Sequence, residues 1–363
     1  MSAMEPPRRP TVGPPLRVRP APPVSSDVPI IPLARLGDRA VASELRRACH
    51  EIGLFYLEVS ADDDQACAAA ANAARTFFHG THREKMKIAY DASPAFRGYM
   101  YLGVERTNGV VDAREQIELG REDGACASSL ARRLVGPNRW PRGGALEEAS
   151  RPWLAAMAAA AAALTKALSV GLGLEDDELE TKVLGAAPHW QAKFARYPAD
   201  FGPGVGAHCD SGWLTLLWAD GPGLEAQTAD GSWISVPPKP RCLAVNLGEM
   251  LQLASGGYYR ATPHRVARPY RERFSLPYFY NPSLDAVVDA VVDADSLPWS
   301  RCGARADVSA TNSQGAHRVA AAYGINAFKS LARSHPRVFA RHHPDLEVRR
   351  DGSVGVRGAA AGE

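Results

Sequence analysis

The stretch that decides the fold lies in the second half of the chain and reads His208-Cys209-Asp210-Ser211-Gly212-Trp213-Leu214-Thr215-Leu216-Leu217. A histidine and an aspartate two positions apart are followed here by an apolar run, which is typical of a buried strand. Residues i and i+2 of a strand point to the same face, so we expect His208 and Asp210 to bind one metal ion together. Two histidines and one carboxylate suit iron(II), because three protein ligands leave coordination positions open.

By itself the His-x-acid pattern is weakly specific. With 10 histidines and 40 acidic residues in 363 positions, roughly one chance match is expected, and the chain has three, beginning at His82, His208 and His343. His82 lies in a charged stretch that is typical of a solvated surface, and no histidine follows His343 to complete a site. Only His208 precedes a series of strands.

A third ligand must come from a distant part of the chain. His264 is the only histidine between His208 and His317 and is our candidate, although a lone histidine at a strand end is more often structural. Nine residues later, Arg273 and Ser275 are again two positions apart and would share one strand face. A guanidinium beside a hydroxyl can bind a remote carboxylate. An arginine and a serine on an exposed strand face remain the alternative.

Composition places the chain among globular proteins, with 45% hydrophobic and 23% charged residues. The net charge is only +2, and acidic and basic residues are interleaved, which argues against nucleic-acid binding. Six cysteines without a CxxC pair fit reduced thiols better than disulfides or a zinc cluster. We therefore expect a cytoplasmic monomer or simple homo-oligomer that acts on a small molecule, with no nucleic-acid or membrane partner.

Composition and periodicity along the chain predict five regions. They are a flexible proline-rich arm at 1–27, a mostly helical region at 28–185, a strand-rich core at 186–285, a helical segment at 286–348 and a flexible tail at 349–363. At 363 residues the chain is long enough for one large domain with appended segments.

Helices are predicted from periodicity at 38–53, 62–79, 146–171 and 315–334, with Pro336 ending the last one. The third is long and rich in alanine, but it carries Lys166 and an amphipathic stripe, so we interpret it as a packed helix and not a membrane span. A buried strand is predicted at 54–57. Further strands, arranged as an antiparallel sandwich or barrel, are predicted at 214–218, 224–227, 233–236, 242–246, 258–262 and 274–280.

Between about Arg196 and Pro282 the chain resembles the isopenicillin N synthase-like branch of the Fe(II)/2-oxoglutarate-dependent dioxygenases. Besides 208–217, the matching blocks are Asp230-Gly231-Ser232-Trp233, Val236-Pro237-Pro238, Asn246-Leu247-Gly248-Glu249-Met250-Leu251, His264-Arg265-Val266 and Arg273-Phe274-Ser275. Weaker matches precede them at Val28-Pro29-Ile30-Ile31, Gly53-Leu54-Phe55-Tyr56 and Arg97-Gly98-Tyr99. The resemblance implies an α+β fold with a mainly β core, a double-stranded β-helix (jelly roll), flanked by N-terminal and C-terminal helices.

The same resemblance implies Fe(II), 2-oxoglutarate as co-substrate and O2. The iron ligands that it implies are His208, Asp210 and His264. The 2-oxoglutarate anchors that it implies are Arg273 and Ser275. It adds Tyr197 as a further contact to 2-oxoglutarate, with a tyrosine packed at a strand end as the alternative. Many relatives have threonine where this chain has Cys209, and we predict that Cys209 packs away from the metal.

The reaction that the resemblance implies is oxidation of a small-molecule C–H bond, coupled to decarboxylation of 2-oxoglutarate to succinate and CO2. The sequence does not select among hydroxylation, desaturation, epoxidation, ring formation and ring expansion. A 2-oxoglutarate-independent oxidase of the isopenicillin N synthase type, an ethylene-forming enzyme and a non-catalytic jelly-roll binding protein remain alternatives. The alanine- and arginine-rich composition favours a bacterial tailoring step, such as one in antibiotic biosynthesis.

Substrate contacts are expected at the mouth of the barrel. The candidates, chosen by position, are Arg97, Tyr99, Tyr101, Arg106, Glu115, Phe279 and Asn281. Arg97 is suited to an acidic substrate group, but a salt bridge at the surface or between domains would use it equally well.

Overall fold

A computed structural model of the chain describes residues 28–107, 110–124, 126–297, 323–349 and 353–358. The predicted arm, most of the predicted tail and the first part of the helix predicted at 315–334 lie outside the described residues.

The first half of the chain supplies most of the helices. Its elements are β1 (Ile30–Pro32), α1 (Arg39–Glu51), β2 (Leu54–Glu58), α2 (Ala61–Phe78), α3 (His82–Met86), β3 (Gly98–Met100), β4 (Arg106–Thr107), β5 (Val110–Val111), β6 (Glu115–Gly120) and α4 (Ala145–Gly171). The three helices and the strand predicted in this half are confirmed, with ends that differ by one or two residues. Helix α2 begins where the Ser60 hydroxyl accepts a hydrogen bond from the Asp63 amide.

Helix α4 packs against α1 and α2. Its predicted apolar stripe, formed by Trp153, Met157, Leu164 and Leu168, is fully buried. Among the described residues it is also the one helix long and apolar enough to cross a membrane, a test that the core helix of a globular protein passes as well. The contacts of α4 with its neighbours confirm the prediction of a packed helix.

The second half of the chain supplies the barrel. Its elements are β7 (His189–Tyr197), β8 (Val205–His208), β9 (Leu214–Ala219), β10 (Leu224–Gln227), β11 (Trp233–Ser235), β12 (Cys242–Leu247), α5 (Glu249–Ala254), β13 (His264–Val266), β14 (Arg273–Asn281), α6 (Tyr323–Ser334), α7 (Pro336–His342), β15 (Leu346–Val348) and β16 (Val354–Val356). Five of the six strands predicted after residue 186 are confirmed.

Two sheets form the core. The larger has the order β1-β2-β12-β9-β14-β7-β6-β3, and the smaller has the order β11-β10-β13-β8. Their strands pair antiparallel, except for the parallel pair of β1 and β2. The sheets pack face to face, since Tyr56 of the larger lies in one apolar cluster with Leu224 and Ala226 of the smaller. This confirms the predicted jelly roll with flanking helices.

The strand predicted at 258–262 is wrong. Its backbone is hydrogen-bonded to two helices. The Arg260 amide donates to the carbonyl of Cys49 in α1 at 3.0 Å, and the Ala261 amide donates to Oε1 of Gln252 in α5 at 2.7 Å. These tertiary hydrogen bonds replace a strand ladder, and the apolar run before them forms α5, a helix that we did not predict.

The C-terminal part also departs from prediction. The helix predicted to stop before Pro336 does end at Ser334, but Pro336 then begins α7, since proline is well accommodated in the first turn of a helix. Two short strands, β15 and β16, pair with each other beyond it. Strand β15 thus lies at the end of the segment predicted as helical, and β16 lies in the range predicted as a tail.

Candidate functional site

The smaller sheet brings the predicted metal ligands together. His208 on β8 and His264 on β13 are paired directly across neighbouring strands. Strand β8 ends at His208, so Asp210 lies in the segment that follows and not on the strand itself. His208 Nε2 lies 3.6 Å from Asp210 Oδ1 and His264 Nε2 lies 3.8 Å from Asp210 Oδ2. One ligand atom from each residue lies within 4.8 Å of the other two.

Each histidine ring is oriented by the backbone carbonyl two residues before it. His208 Nδ1 lies 2.9 Å from the carbonyl of Gly206, and His264 Nδ1 lies 3.0 Å from that of Thr262. A carbonyl only accepts, so each Nδ1 carries the proton and each Nε2 keeps its lone pair. The two lone pairs point toward the carboxylate of Asp210. This is the tautomer that a metal ligand requires.

The charge states of His208 and Asp210 suit a cation as well. Burial, and next the neighbouring His264, lower the pKa of His208 to about 4, so that the ring is neutral at pH 7. Burial would raise the pKa of Asp210, but His264, His208 and two hydrogen bonds together hold it below its usual value. Those bonds come from Asn246 Nδ2 at 2.8 Å and Thr215 Oγ1 at 2.5 Å, both to Oδ2.

The predicted 2-oxoglutarate anchors lie on the larger sheet. Arg273 and Ser275 share one face of β14 and are each 2% exposed. The guanidinium carbon of Arg273 lies 4.9 Å from the ring centre of Tyr197, its cross-strand partner on β7. Arg273 Nε donates to the carbonyl of Gly221 at 3.1 Å, whereas its buried Nη1 has no hydrogen-bond partner among the described residues. A buried guanidinium with an unsatisfied N–H fits an anionic ligand.

A cavity of about 170 Å³ opens beside the triad. His208 and Asp210 line it, and so do Phe279 and Asn281 of the predicted substrate contacts. Cys209 also borders the cavity, but it is not one of the three converging ligands, and its Sγ lies 3.7 Å from the carbonyl of Ala261. Arg273 borders a smaller pocket, lined by residues of both sheets.

Other predicted substrate contacts lie elsewhere, and for these the prediction needs correction. Glu115 is buried away from the cavity and accepts hydrogen bonds from Lys85 at 2.8 Å, from Arg196 at 2.5 Å and from the hydroxyl of Tyr99. Tyr99 itself is almost fully buried. Glu115 and Tyr99 therefore join the helical region to the sheet.

Arg97 and Tyr101 do not line the cavity either. Arg97 is completely buried and donates to the carbonyl of Leu134 at 3.0 Å. The hydroxyl of Tyr101 accepts a hydrogen bond from Arg337. The side chain of Arg106 lies outside the described part of the chain, so its predicted contact remains a prediction.

The cavity wall also holds four charged side chains and a histidine that the sequence did not reveal. They are Glu105, Arg114, Glu118, Lys193 and His335. Lys193 Nζ lies 2.7 Å from Glu118 and 3.5 Å from Glu105, and Arg114 Nη2 lies 2.7 Å from Glu105. One signal was available, because Gln191 and Lys193 place polar side chains at alternate positions of a strand that is otherwise largely buried.

A jelly roll whose paired strands present two histidines, with an aspartate just after one of these strands, defines a class, the mononuclear non-haem iron oxygenases. The chain belongs to the 2OG-Fe(II) oxygenase superfamily, whose family model matches residues 187–282. A second family model, described as non-haem dioxygenase in morphine synthesis N-terminal, matches residues 28–143. Together the two confirm the resemblance on which the sequence analysis relied.

Relatives of established name support this assignment. The chain is 30% identical over 264 residues to a homoarginine-6-hydroxylase of Glycine max, covering 69% of this chain and 80% of that protein. It is 25% identical over 289 residues to the 2-oxoglutarate-dependent ethylene/succinate-forming enzyme of Ralstonia nicotianae, covering 71% and 82%.

Solved structures agree. JOX2 in complex with 2OG, Fe and JA superposes with a TM-score of 0.61 at 26% identity, covering 73% of this chain and 77% of that one. A Neurospora crassa protein solved in complex with alpha-KG and thymine gives a TM-score of 0.66 at 21% identity, covering 85% and 98%, and supports the fold alone. The chain is a 2-oxoglutarate-dependent non-haem iron dioxygenase that uses Fe(II), 2-oxoglutarate and O2 and oxidises small molecules.

Proposed function

We propose specific roles for the residues of this dioxygenase. The iron ligands are His208, Asp210 and His264. The contacts to 2-oxoglutarate are Arg273, Ser275 and Tyr197. The observation that carries the proposal is the convergence of two histidine lone pairs on one carboxylate, with all ligand atoms within 4.8 Å of one another. The unsatisfied Nη1 of Arg273 supports the second group.

Bound iron(II) and 2-oxoglutarate supply the oxidising chemistry, in which O2 is consumed, 2-oxoglutarate is converted to succinate and CO2, and the substrate is oxidised. The residues of the chain bind and orient. Arg273 would neutralise the far carboxylate of 2-oxoglutarate, and the Tyr197 ring beneath its guanidinium restricts where that charge can lie. Ser275 would donate its hydroxyl to the same carboxylate. Burial of all three limits competition from water.

We favour hydroxylation, or a closely related C–H oxidation, over the alternatives. Hydroxylases are among the relatives, as the name of the Glycine max protein states. Relatives named as 2-oxoglutarate-dependent enzymes favour the use of this co-substrate over an oxidase that does without it. A non-catalytic binding protein would not require each histidine of the triad to be in the tautomer that binds a metal. It would also not require the hydrogen bonds from Asn246 and Thr215 to Asp210.

The pathway stays a prediction. A bacterial tailoring step rests on composition, and the relatives come from plants and fungi as well as from a bacterium. The cytoplasmic location, the oligomeric state and the division into five regions likewise remain predictions. The names of the similar proteins mention homoarginine, thymine and JA, so they do not agree on a substrate.

The proposal is tested by measuring succinate formed from 2-oxoglutarate over a panel of small molecules. We expect formation above background only with iron(II), O2 and an accepted substrate. Asp210→Ala should abolish it, because the carboxylate between the two histidines is lost. Asp230→Ala changes an exposed aspartate of a turn and serves as the matched control. Undiminished succinate formation by Asp210→Ala would refute the assigned triad.

A further inference from the structure

A second group of side chains converges on the wall of the same cavity. Glu105, Glu118 and His335 each place one ligand atom within 4.8 Å of the other two. Glu105 precedes β4, Glu118 is on β6 and His335 lies between α6 and α7, so two neighbouring segments of the first half meet a distant C-terminal one here. Glu118 and His335 are buried, and the side chain of Glu105 is only 11% exposed, although glutamates are seldom buried without a partner or a ligand. The mechanism proposed above does not use them.

His335 presents an acceptor to this group. The one hydroxyl proton of Ser334 goes to the carbonyl of Ser330 at 2.9 Å, so Ser334 accepts from His335 Nδ1, which lies 2.7 Å away. Nδ1 also lies 3.2 Å from the carbonyl of Leu331, which can only accept. In the neutral ring the lone pair is therefore on Nε2. That atom is buried, has no hydrogen-bond partner among the described residues, and lies 3.8 Å from Glu118 Oε1.

Glu118 has acceptor capacity left as well. In the described part of the chain its contacts all fall on Oε1, which receives Lys193 Nζ at 2.7 Å and Gln116 Nε2 at 3.1 Å. His335 Nε2 is thus a buried acceptor that receives no donor among the described residues, and it lies 3.8 Å from Glu118 Oε1. An N–H group placed beside both atoms would satisfy it.

The charged side chains around Glu118 and His335 determine which charge a ligand there should carry. The salt-bridge network at this wall joins three carboxylates, Glu105, Glu118 and Asp112, to two cations, Arg114 and Lys193. Asp112 pairs with Arg114 but does not line the cavity. Despite burial, Arg114 and Lys193 hold the pKa of Glu105 well below its usual range. While His335 is neutral, this network has three carboxylates and two cations, and an additional cation would balance its charge.

A metal ion is a poor candidate for the missing cation. The ammonium of Lys193 already lies 2.7 Å from one carboxylate and 3.5 Å from the other. A divalent ion bound between the same carboxylates would be repelled by it. An organic cation spreads its charge and can share the carboxylates with Lys193, with each N–H directed at a separate acceptor.

We propose that Glu105, Glu118 and His335 form a subsite that binds a cationic, N–H-bearing group of the substrate, a guanidinium or an ammonium. The inference rests on the proposed function, because it makes the cavity beside the triad the substrate site of the dioxygenase. It deepens that function by naming the substrate class, a small organic molecule with a positively charged nitrogen group.

The test compares two probes of nearly equal shape, L-arginine and L-citrulline, which differ in the charge of the terminal group. Their binding to the full chain loaded with iron(II) and 2-oxoglutarate is measured by calorimetry without oxygen, so that no turnover occurs. We expect L-arginine to bind at least about tenfold more tightly than L-citrulline, as a charged hydrogen bond to a buried acceptor requires. Glu118→Gln should remove most of this preference.

Glu148→Gln, an exposed change on α4, is the matched control and should keep the preference. Glu105→Gln provides a second variant if Glu118→Gln does not unfold cooperatively. Equal affinity for the two probes, no binding of L-arginine, tighter binding of L-glutamate, or a second equivalent of divalent metal that displaces L-arginine would each overturn the inference. The absorption band of the iron–2-oxoglutarate complex, recorded in the same sample, reports separately on the proposed function.

Discussion

At the scale of single residues, the metal site depends on hydrogen bonds that fix each ligand in place. Asn246 Nδ2 donates to Asp210 Oδ2 at 2.8 Å and is almost fully buried. We expect Asn246→Leu to lower the affinity for iron(II) roughly 10- to 100-fold, because Asp210 loses a donor that orients it. Competition with a coloured chelator measures this. Asn72→Leu, on the exposed face of α2, is the control, and an unchanged affinity in Asn246→Leu would contradict this role.

The sequence could predict the part of the site whose residues are close together along the chain. Arg273 and Ser275 are two positions apart on β14, so strand geometry places both on one face. The same spacing pointed to His208 and Asp210, although β8 ends at His208 and Asp210 reaches the site from the segment that follows. The charged wall has no such spacing. Glu118 and His335 are far apart in the sequence, and the fold brings them to 3.8 Å from each other, which no local pattern encodes.

At the scale of elements, α4 should behave as part of the core. We expect Leu164→Ala to lower the free energy of unfolding by about 2–5 kcal/mol, because a fully buried side chain is replaced by a cavity. Val170→Ala, on the exposed side of the same helix, should change it by less than about 0.5 kcal/mol. Denaturant unfolding compares the two. Equal effects of the two substitutions would argue against the packing described for α4.

The element that was predicted wrongly shows where local propensity fails. Tyr258 and Tyr259 favour a strand, yet the segment after them is bonded to the end of α1 through Cys49. The close approach depends on Gly53, which has a φ of +70° and whose added Cβ would lie 2.1 Å from the carbonyl oxygen of Arg260. Such a contact between distant segments overrides local strand propensity, and no local sequence pattern reveals it.

At the scale of the whole molecule, stability should depend on pH through His189. This side chain is 1% exposed, and burial, followed by Arg97 and Arg121, lowers its pKa to about 3. In the unfolded chain the pKa is about 6.5. Between these values the unfolded state binds a proton that the folded state does not, so stability falls as the pH decreases.

We expect His189 to remove roughly 2 kcal/mol of stability when the pH is lowered from 7 to 5. His189→Gln should reduce this loss, whereas His82→Gln, at an exposed position, should not. Denaturant unfolding at the two pH values measures the difference. A loss in His189→Gln as large as in the unaltered chain would show that other groups dominate.

The jelly roll itself could be predicted, because strand spacing and six motif blocks point to the same architecture. The order of strands, the cavity and its charged wall could not, since they follow from pairing between distant segments such as β7 and β14.

The most direct measurement of the central claim is an anaerobic titration of the chain with iron(II) and 2-oxoglutarate, followed by visible absorption. We expect a charge-transfer band that saturates at one iron per chain, is absent in Asp210→Ala, and in Arg273→Leu requires much more 2-oxoglutarate. Arg75→Leu changes an arginine that pairs with Asp220 near the surface and is the control. A band that persists in Asp210→Ala, or no band in the unaltered chain, would contradict the assignment of His208, Asp210, His264 and Arg273.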